Sequence, residues 1–329
     1  MAVTIKDVAR AAGVSPSTVS RALSTPQLLL PETRERVQRA VQELGYHPNR
    51  AARGLITGRT GNIGLIVPDL TNPFFPGVVK GVQERAHESE FSVFLADTDE
   101  HAAAEADLVR ALGKQVDGII LCSPRMSEAE VRAVAGETPV VMLNRRVGRI
   151  PSVTVDLGET IRQAVAHLVA LGHRRIGYVA GPRNSWSNRE RLRALRAAAA
   201  AAGVELEEIA TVAPKFAGGV AVADVVLAAG VTAVVAYNDL VALGLLNRFA
   251  ARGVAVPADI SVVGFDDILF AEMVSPALTT LALPQEPTGR AGVELLLDLL
   301  EDPDRAGNAR RELSAQLMVR GSTGPARPE

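Results

Sequence analysis

Cysteine is nearly missing from this 329-residue chain: Cys122 stands alone. A single thiol can build neither an internal disulfide framework nor a cysteine-cluster metal site. Aromatic residues make up only 4%, with one tryptophan, so aliphatic cores are expected. Uncharged apolar runs stay too short to span a membrane. The nearest, Phe216 to Asn238, is cut by Asp224 and three glycines. The opening Met1-Ala-Val-Thr-Ile-Lys-Asp7 has no apolar stretch of the kind a signal peptide needs. A reduced, cytoplasmic protein with no membrane segment is therefore expected. Apolar residues at 47% and charged residues at 22% are ordinary for a folded chain and exclude wholesale disorder. The length suggests two domains and a small extra module.

The net charge of −2 is unevenly spread. Residues 1–59 hold nine Lys and Arg against four acids, a net +5, and the remainder carries −7. A basic head on an acidic body suggests a reader of a polyanion joined to something that is not one. Within the head, Thr4 to Asp7 fits a capping box, and Ile5, Val8, Ala9 and Ala12 share one helical face. Gly13 ends that helix. Ser15 then caps a second helix with Pro16 at its first position, and Pro31 opens a third that Gly45 stops. Two short helices joined by a tight turn outline a helix-turn-helix. Arg21 suits a bidentate contact to guanine in the major groove. Spacing and charge alone leave open a plain three-helix bundle with a solvated polar face.

From Gly61 onward, short apolar strands alternate with helical stretches. Strands are expected at 63–67, 92–96, 118–121, 140–143, 153–155, 176–179, 233–236, 261–265 and 280–283. Helical segments are expected at 75–90, 102–113, 160–171 and 189–202. Such alternation argues for parallel sheets with helices on both faces. About ten strands is too many for one compact unit, so two Rossmann-like lobes with a ligand cleft at the strand ends are expected.

An enzymatic reading fares poorly. The run Gly58-Arg-Thr-Gly-Asn-Ile-Gly64 precedes its strand, so it cannot be a dinucleotide loop. The five histidines are scattered without metal-ligand spacing, and no G-x-S-x-G elbow occurs. No catalytic residue, metal or cofactor is expected. Cys122 reads as an inert strand-end residue. Strand ends instead carry polar groups suited to a ligand: Asp97, Asn144-Arg145, Asn238-Asp239 and Asp266-Asp267. After the first strand, Asn72 reads as an N-cap with Pro73 at the first helical position, so that Phe74 and Phe75 hang over the cleft. Asp239 and Asp267 read more simply as helix caps.

The run Thr4-Ile-Lys-Asp-Val-Ala-Arg-Ala-Ala-Gly-Val-Ser-Pro-Ser-Thr-Val-Ser-Arg-Ala-Leu23 closely resembles the DNA-binding head of the lactose/galactose repressor (LacI/GalR) family. The resemblance continues through Thr33 to Val37 and Leu44 to Leu55, and runs through the body to Val319-Arg-Gly-Ser322. It implies an all-α helix-turn-helix head over 1–48, a hinge helix and linker over 49–60, and a periplasmic-binding-protein-like α/β body over 61–329. It divides the body into one lobe near 61–157 and 285–312 and a second near 158–284 and 313–320.

By the same resemblance Pro16, Ser17 and Arg21 read base edges, while Thr4, Ser15, Thr18 and Ser20 serve the turn and the phosphates. Asn49, Arg50, Ala52 and Leu55 belong to the hinge, with Leu55 as an apolar wedge in the minor groove. Phe74, Phe75, Arg145, Trp186, Arg191, Asn238 and Asp266 line an effector pocket. The implied protein is a sequence-specific transcriptional repressor, a homodimer on a pseudopalindromic operator, controlled by a sugar or related polar metabolite. A solute carrier of the periplasmic sugar-binding type would share the body but not the head. Two departures stand out. Leu28-Leu-Leu30 replaces a more polar loop and reads as a hydrophobic staple onto the bundle. Gly54 stands where the hinge often has Ser.

Overall fold

The computed structural model describes residues 3–24, 26–46 and 59–327. The chain divides at Thr60/Gly61 into two compact units.

In the first unit, α1 (Ile5–Ala12), α2 (Pro16–Ser24) and α3 (Pro31–Leu44) enclose a small core of Val8, Ala12, Val19, Ala22, Val37 and Ala40. The caps explain the helix boundaries. The Thr4 backbone N–H and hydroxyl both donate to the Asp7 carboxylate, at 3.0 and 2.7 Å. This bonding holds the Asp7 carboxyl below its ordinary range. Ser15 Oγ accepts from the Thr18 N–H at 3.1 Å and starts α2. Gly13 and Gly45 close α1 and α3 in the left-handed region, with φ of 65° and 60°. The leucine staple is only partly formed. Leu29 packs on the core, whereas Leu28 and Leu30 are 72% and 74% exposed. Three consecutive residues cannot all face one small bundle.

The second unit holds two six-stranded sheets. The first contains β1 (Asn62–Val67), β2 (Ser92–Asp97), β3 (Gly118–Cys122), β4 (Val140–Leu143), β5 (Ser152–Asp156) and β11 (Arg310–Ser314), in the order β11-β5-β4-β3-β1-β2. All its pairings are parallel. The second contains β6 (Arg175–Ala180), β7 (Glu205–Thr211), β8 (Ala233–Ala236), β9 (Ser261–Asp266), β10 (Thr279–Ala282) and β12 (Gln316–Met318), in the order β12-β10-β9-β8-β6-β7. Here β12 alone runs antiparallel, against β10.

Helices cover both faces of each sheet, as parallel sheets require. Around the first sheet, α4 (Phe74–Glu88) and α12 (Gln285–Glu301) share one core with it, while α5 (Ala102–Gly113) and α6 (Glu128–Glu137) share the other. Around the second, α7 (Gly158–Ala170) and α8 (Trp186–Ala202) lie opposite α9 (Phe216–Ala228) and α10 (Asp239–Ala251), and the short α11 (Leu269–Met273) follows β9. The pair α4–α12 packs backbone against backbone. A Cβ at Gly81 would fall 2.1 Å from the Glu286 carbonyl, and one at Gly289 would fall 2.2 Å from that of Val78.

Three segments join the sheets: β5 into α7, β10 into α12, and β11 into β12. The last crossing falls at Ala315, so Leu313 and Ser314 belong to the first sheet, paired with Val155 and Asp156. This shifts the expected 312/313 lobe boundary. The parallel register of β11 on β5 runs to the end of that strand before the chain turns over. The near-membrane run 216–238 becomes α9 followed by β8. Among the described residues no helix is long and apolar enough to cross a membrane.

Candidate functional site

A cavity of about 340 Å³ opens where the C-terminal ends of the two sheets face each other. This is where open parallel sheets place ligands, because the loops leaving the strands are free to vary there.

On the second-sheet side, Arg191 projects from α8 and Asp266 ends β9. Both are about 5% exposed. Arg191 Nη2 donates to Asp266 Oδ1 at 3.1 Å, and Nη1 donates to the Tyr237 carbonyl. The guanidinium lies 4.4 Å from the centroid of the Phe265 ring and 4.9 Å from that of Tyr237. Arg191 Nε is buried without a protein partner. Asp266 sits at φ 110°, outside the regions that L-residues favour, at the point where the strand turns to face the cavity. Burial pushes its carboxyl up to about 6, even against the pull of Arg191.

Beneath this pair, Asp239 is fully buried and accepts from the Ile268 N–H at 2.9 Å and the Thr280 hydroxyl at 2.6 Å. Burial, then the nearby Asp266 charge, raises its carboxyl well above the ordinary range. The reading of Asp239 as a helix cap is corrected. The cap of α10 is Asn238, whose Oδ1 accepts from the Val241 N–H at 2.9 Å. Asn238 does line the cavity, with its amide also donating to the Pro214 carbonyl at 3.0 Å. Asp267 is likewise no cap; Arg320 pairs with it at 2.6 Å.

On the first-sheet side, Phe74 and Phe75 form an edge-to-face pair 5.2 Å apart that is wall and core at once. Pro73, rather than Asn72, is the N-cap residue of α4, so the helix starts one residue later than expected. Asn72 still contributes its Oδ1, which accepts from the Phe74 N–H at 3.1 Å. Arg145 does not reach the cavity. Its Nη1 donates to the Pro124 and Met126 carbonyls at 2.8 and 2.6 Å, inside the lobe. Successive residues leaving a strand point to opposite sides, so its neighbours Asn144 and Arg146 are the ones that line the cavity.

Sequence reasoning also missed the Glu100–Arg125 pair, joined by two bonds of 2.6 and 2.9 Å. Glu105 underpins it by accepting the Arg125 and Met126 N–H groups at 2.8 Å. Arg125 follows β3 just as Asp266 ends β9, so the strand-end rule could have found it. Trp186 opens α8 and faces the cavity. Contacts cross the cleft mouth: Lys215 Nζ lies 2.9 Å from Asp99 and 3.6 Å from Asp69, and Ser187 Oγ donates to the Asn144 carbonyl at 3.3 Å.

Burial pushes the Cys122 thiol up to about 12, which leaves it inert at neutral pH. Among the described residues no cluster of His, Cys, Asp and Glu could hold a metal ion.

In the head, Pro16, Ser17 and Arg21 lie exposed on α2, with Ser20 half-buried beside them. Ser17 and Arg21 are four residues apart and so share one helix face. Thr4, Ser15 and Thr18 hold the helix starts, with Ser15 and Thr18 hydroxyls 2.9 Å apart. Asn49, Arg50, Ala52 and Leu55 lie outside the described residues.

Residues 4–49 match the profile of bacterial regulatory proteins of the lacI family, and residues 165–323 match that of a periplasmic binding protein-like domain. The HTH-type transcriptional repressor CytR of Escherichia coli (strain K12) is 33% identical over 98% of this chain and 96% of its own. The transcriptional regulator CelR of Thermobifida fusca is 37% identical over 97% and 98%. Among solved structures, the lac repressor dimer bound to operator and the anti-inducer ONPF superposes with a TM-score of 0.87. It is 30% identical and covers 98% of this chain and all of its own. A CelR–cellobiose complex superposes at 0.73, with 34% identity over 97% and 99%. With helix-turn-helix head, two-sheet body and near-complete coverage in agreement, the chain belongs to the LacI family of bacterial transcription regulators.

Proposed function

We propose that this regulator is a cytoplasmic repressor that binds a pseudopalindromic operator as a homodimer and responds to a sugar or related polar metabolite held in the cleft. It acts by binding, not by catalysis. The observation that carries the ligand reading is the buried Arg191–Asp266 pair, a donor and an acceptor side by side beneath aromatic walls. Adjacent hydroxyls of a polyol bond to such a pair while its C–H faces meet Phe74 and Trp186. The CelR complex with cellobiose supports the class of ligand. On DNA, Arg21 and Ser17 supply base contacts, and Thr4, Ser15, Thr18 and Ser20 the turn and phosphate contacts. The proposed hinge, residues 49–60, completes operator binding through Asn49, Arg50, Ala52 and Leu55. Ligand in the cleft shifts the balance between open and closed lobes, and operator affinity changes with it.

The test is a thermal-shift screen of the full chain against sugars, polyols and nucleosides, joined to selection of bound operator fragments. A ligand that raises Tm and changes affinity for a selected palindrome is the expected result. A chain that retains no fragment at low salt would overturn the regulatory reading in favour of solute carriage.

A further inference from the structure

We infer that this cavity selects uncharged, hydroxyl-rich ligands of the glycoside class and rejects their phosphorylated and carboxylated counterparts. The inference rests on the proposal that the cleft is the effector site.

The cavity is rich in arginine yet holds no spare positive charge. Its walls carry five arginines and five carboxylates. The two innermost cations are committed: Arg125 to Glu100 at 2.6 Å and Arg191 to Asp266 at 3.1 Å, with both arginines nearly fully buried. The three nearer the rim are also paired, Arg146 with Glu312 at 2.6 Å, Arg193 with Glu190 at 2.5 Å, and Arg162 with Glu159. Rim pairs are individually weak. Their carboxylates nonetheless remain beside any arginine that swings inward, so an entering anion meets like charge together with the cation.

Helix N-termini are the other usual source of anion binding. Four face this cavity, and each has given a first-turn donor to a side chain at its own start. Asn72 accepts from the Phe74 N–H at 3.1 Å, Asp156 from the Gly158 N–H at 2.9 Å, Ser185 from the Asn188 N–H at 3.2 Å, and Asn238 from the Val241 N–H at 2.9 Å. A phosphate entering here would lose its hydration without gaining an uncommitted cation or an open helix end. A neutral polyol loses nothing comparable. It can add its hydroxyls to the existing ion pairs, which need both donors and acceptors, and supply an acceptor to the unpartnered Arg191 Nε.

The chain's single tryptophan, Trp186, lines the cavity and provides the readout. Matched pairs would be titrated into the full chain by Trp186 fluorescence, with calorimetry in parallel. They are glucose and glucose 6-phosphate, trehalose and trehalose 6-phosphate, cytidine and cytidine monophosphate, within a wider set of neutral and acidic glycosides. The neutral member of any bound pair should bind at least about tenfold more tightly. Cytidine against the glycosides identifies which neutral source is preferred. A charged member that binds as tightly as its neutral partner overturns the inference but leaves the effector site standing. Silence across the whole set in fluorescence, calorimetry and Tm overturns the effector-site reading itself, and the inference with it. One variant isolates the cause. Glu312→Gln, at the exposed rim, frees Arg146 and should shrink the neutral-over-phosphorylated preference at least about threefold. An unchanged preference in that variant would overturn charge balance as its origin.

Discussion

Arg191 and Asp266 meet at 3.1 Å across the end of the second sheet, each almost sealed from solvent. The pair spends only part of its bonding capacity: the Arg191 Nε is buried without a protein partner. Asp266→Asn keeps the shape but removes the charge, and charge-assisted bonds contribute about 1.5–3 kcal/mol each. Effector affinity should fall at least about tenfold by calorimetry. Operator binding by the unliganded protein should survive if the effector is an inducer. Wild-type affinity in this variant would show that Asp266 only closes its strand.

The same carboxyl sets a pH dependence. Its folded value, about 6, lies above the ordinary aspartate range. Its contribution to folding is therefore greatest in acid and is lost as pH rises through about 6. The Tm of wild type relative to Asp266→Asn should decline over that interval. Effector affinity should run the other way and weaken below pH 6, as the acceptor becomes protonated. Calorimetric titrations at pH 5 and 7 would check the second trend, and parallel melts the first. A pH-independent difference in Tm would contradict the assignment.

Asp239 should tolerate loss of charge but not loss of its hydrogen bonds. Burial and the nearby Asp266 charge raise its carboxyl well above the ordinary range, so the charged form carries a cost that asparagine does not. Asparagine can turn its oxygen to the Ile268 N–H and its amide to Thr280 Oγ1, the two groups that Asp239 now holds. Asp239→Asn should stay within about 1 kcal/mol of wild type. Asp239→Ala strands a buried N–H and should cost about 1–3 kcal/mol or more in urea unfolding. Equal destabilisation by both would show that the charge itself matters.

Lys215 closes the cleft mouth from the second sheet onto Asp99 and Asp69 of the first. An exposed pair contributes only ~0.2–1 kcal/mol, so Lys215→Met should weaken effector binding by about two- to fivefold, chiefly through faster dissociation. Stopped-flow fluorescence of Trp186 would measure it. An unchanged dissociation rate would remove Lys215 from the closing contacts.

In the head, Arg21→Ala should weaken operator binding by about 1–3 kcal/mol and relax preference at one base pair per half-site. Binding selections compared between variant and wild type would show this. Retained preference at every position would mean that another face of α2 reads the bases.

The local grammar of this chain was legible before any fold was seen. Gly13, Pro16, Pro31 and Gly45 punctuate the head by backbone preference and Ser15 by its side-chain cap, and helix boundaries fall there. Apolar runs placed nine strands, because buried parallel strands are continuously hydrophobic. Edge strand β7, Glu-Leu-Glu-Glu-Ile-Ala-Thr, escaped notice: it is half-exposed, and its three glutamates mask the pattern. The strand-end rule found Asp266, Asn238 and Phe74, because the segments leaving the strands border the cleft in such a sheet.

Tertiary structure alone decided which side chains turn inward. Arg145 folds under its lobe while Arg146 faces the cavity, a choice made by the carbonyls of Pro124 and Met126, about twenty residues away in sequence. Arg125 became part of the wall only because Glu100, on another loop, lies within 2.6 Å of it. The charge balance of the cavity is likewise invisible in sequence. It depends on which carboxylate stands beside which arginine, and Coulomb interactions follow distance in space, not separation along the chain.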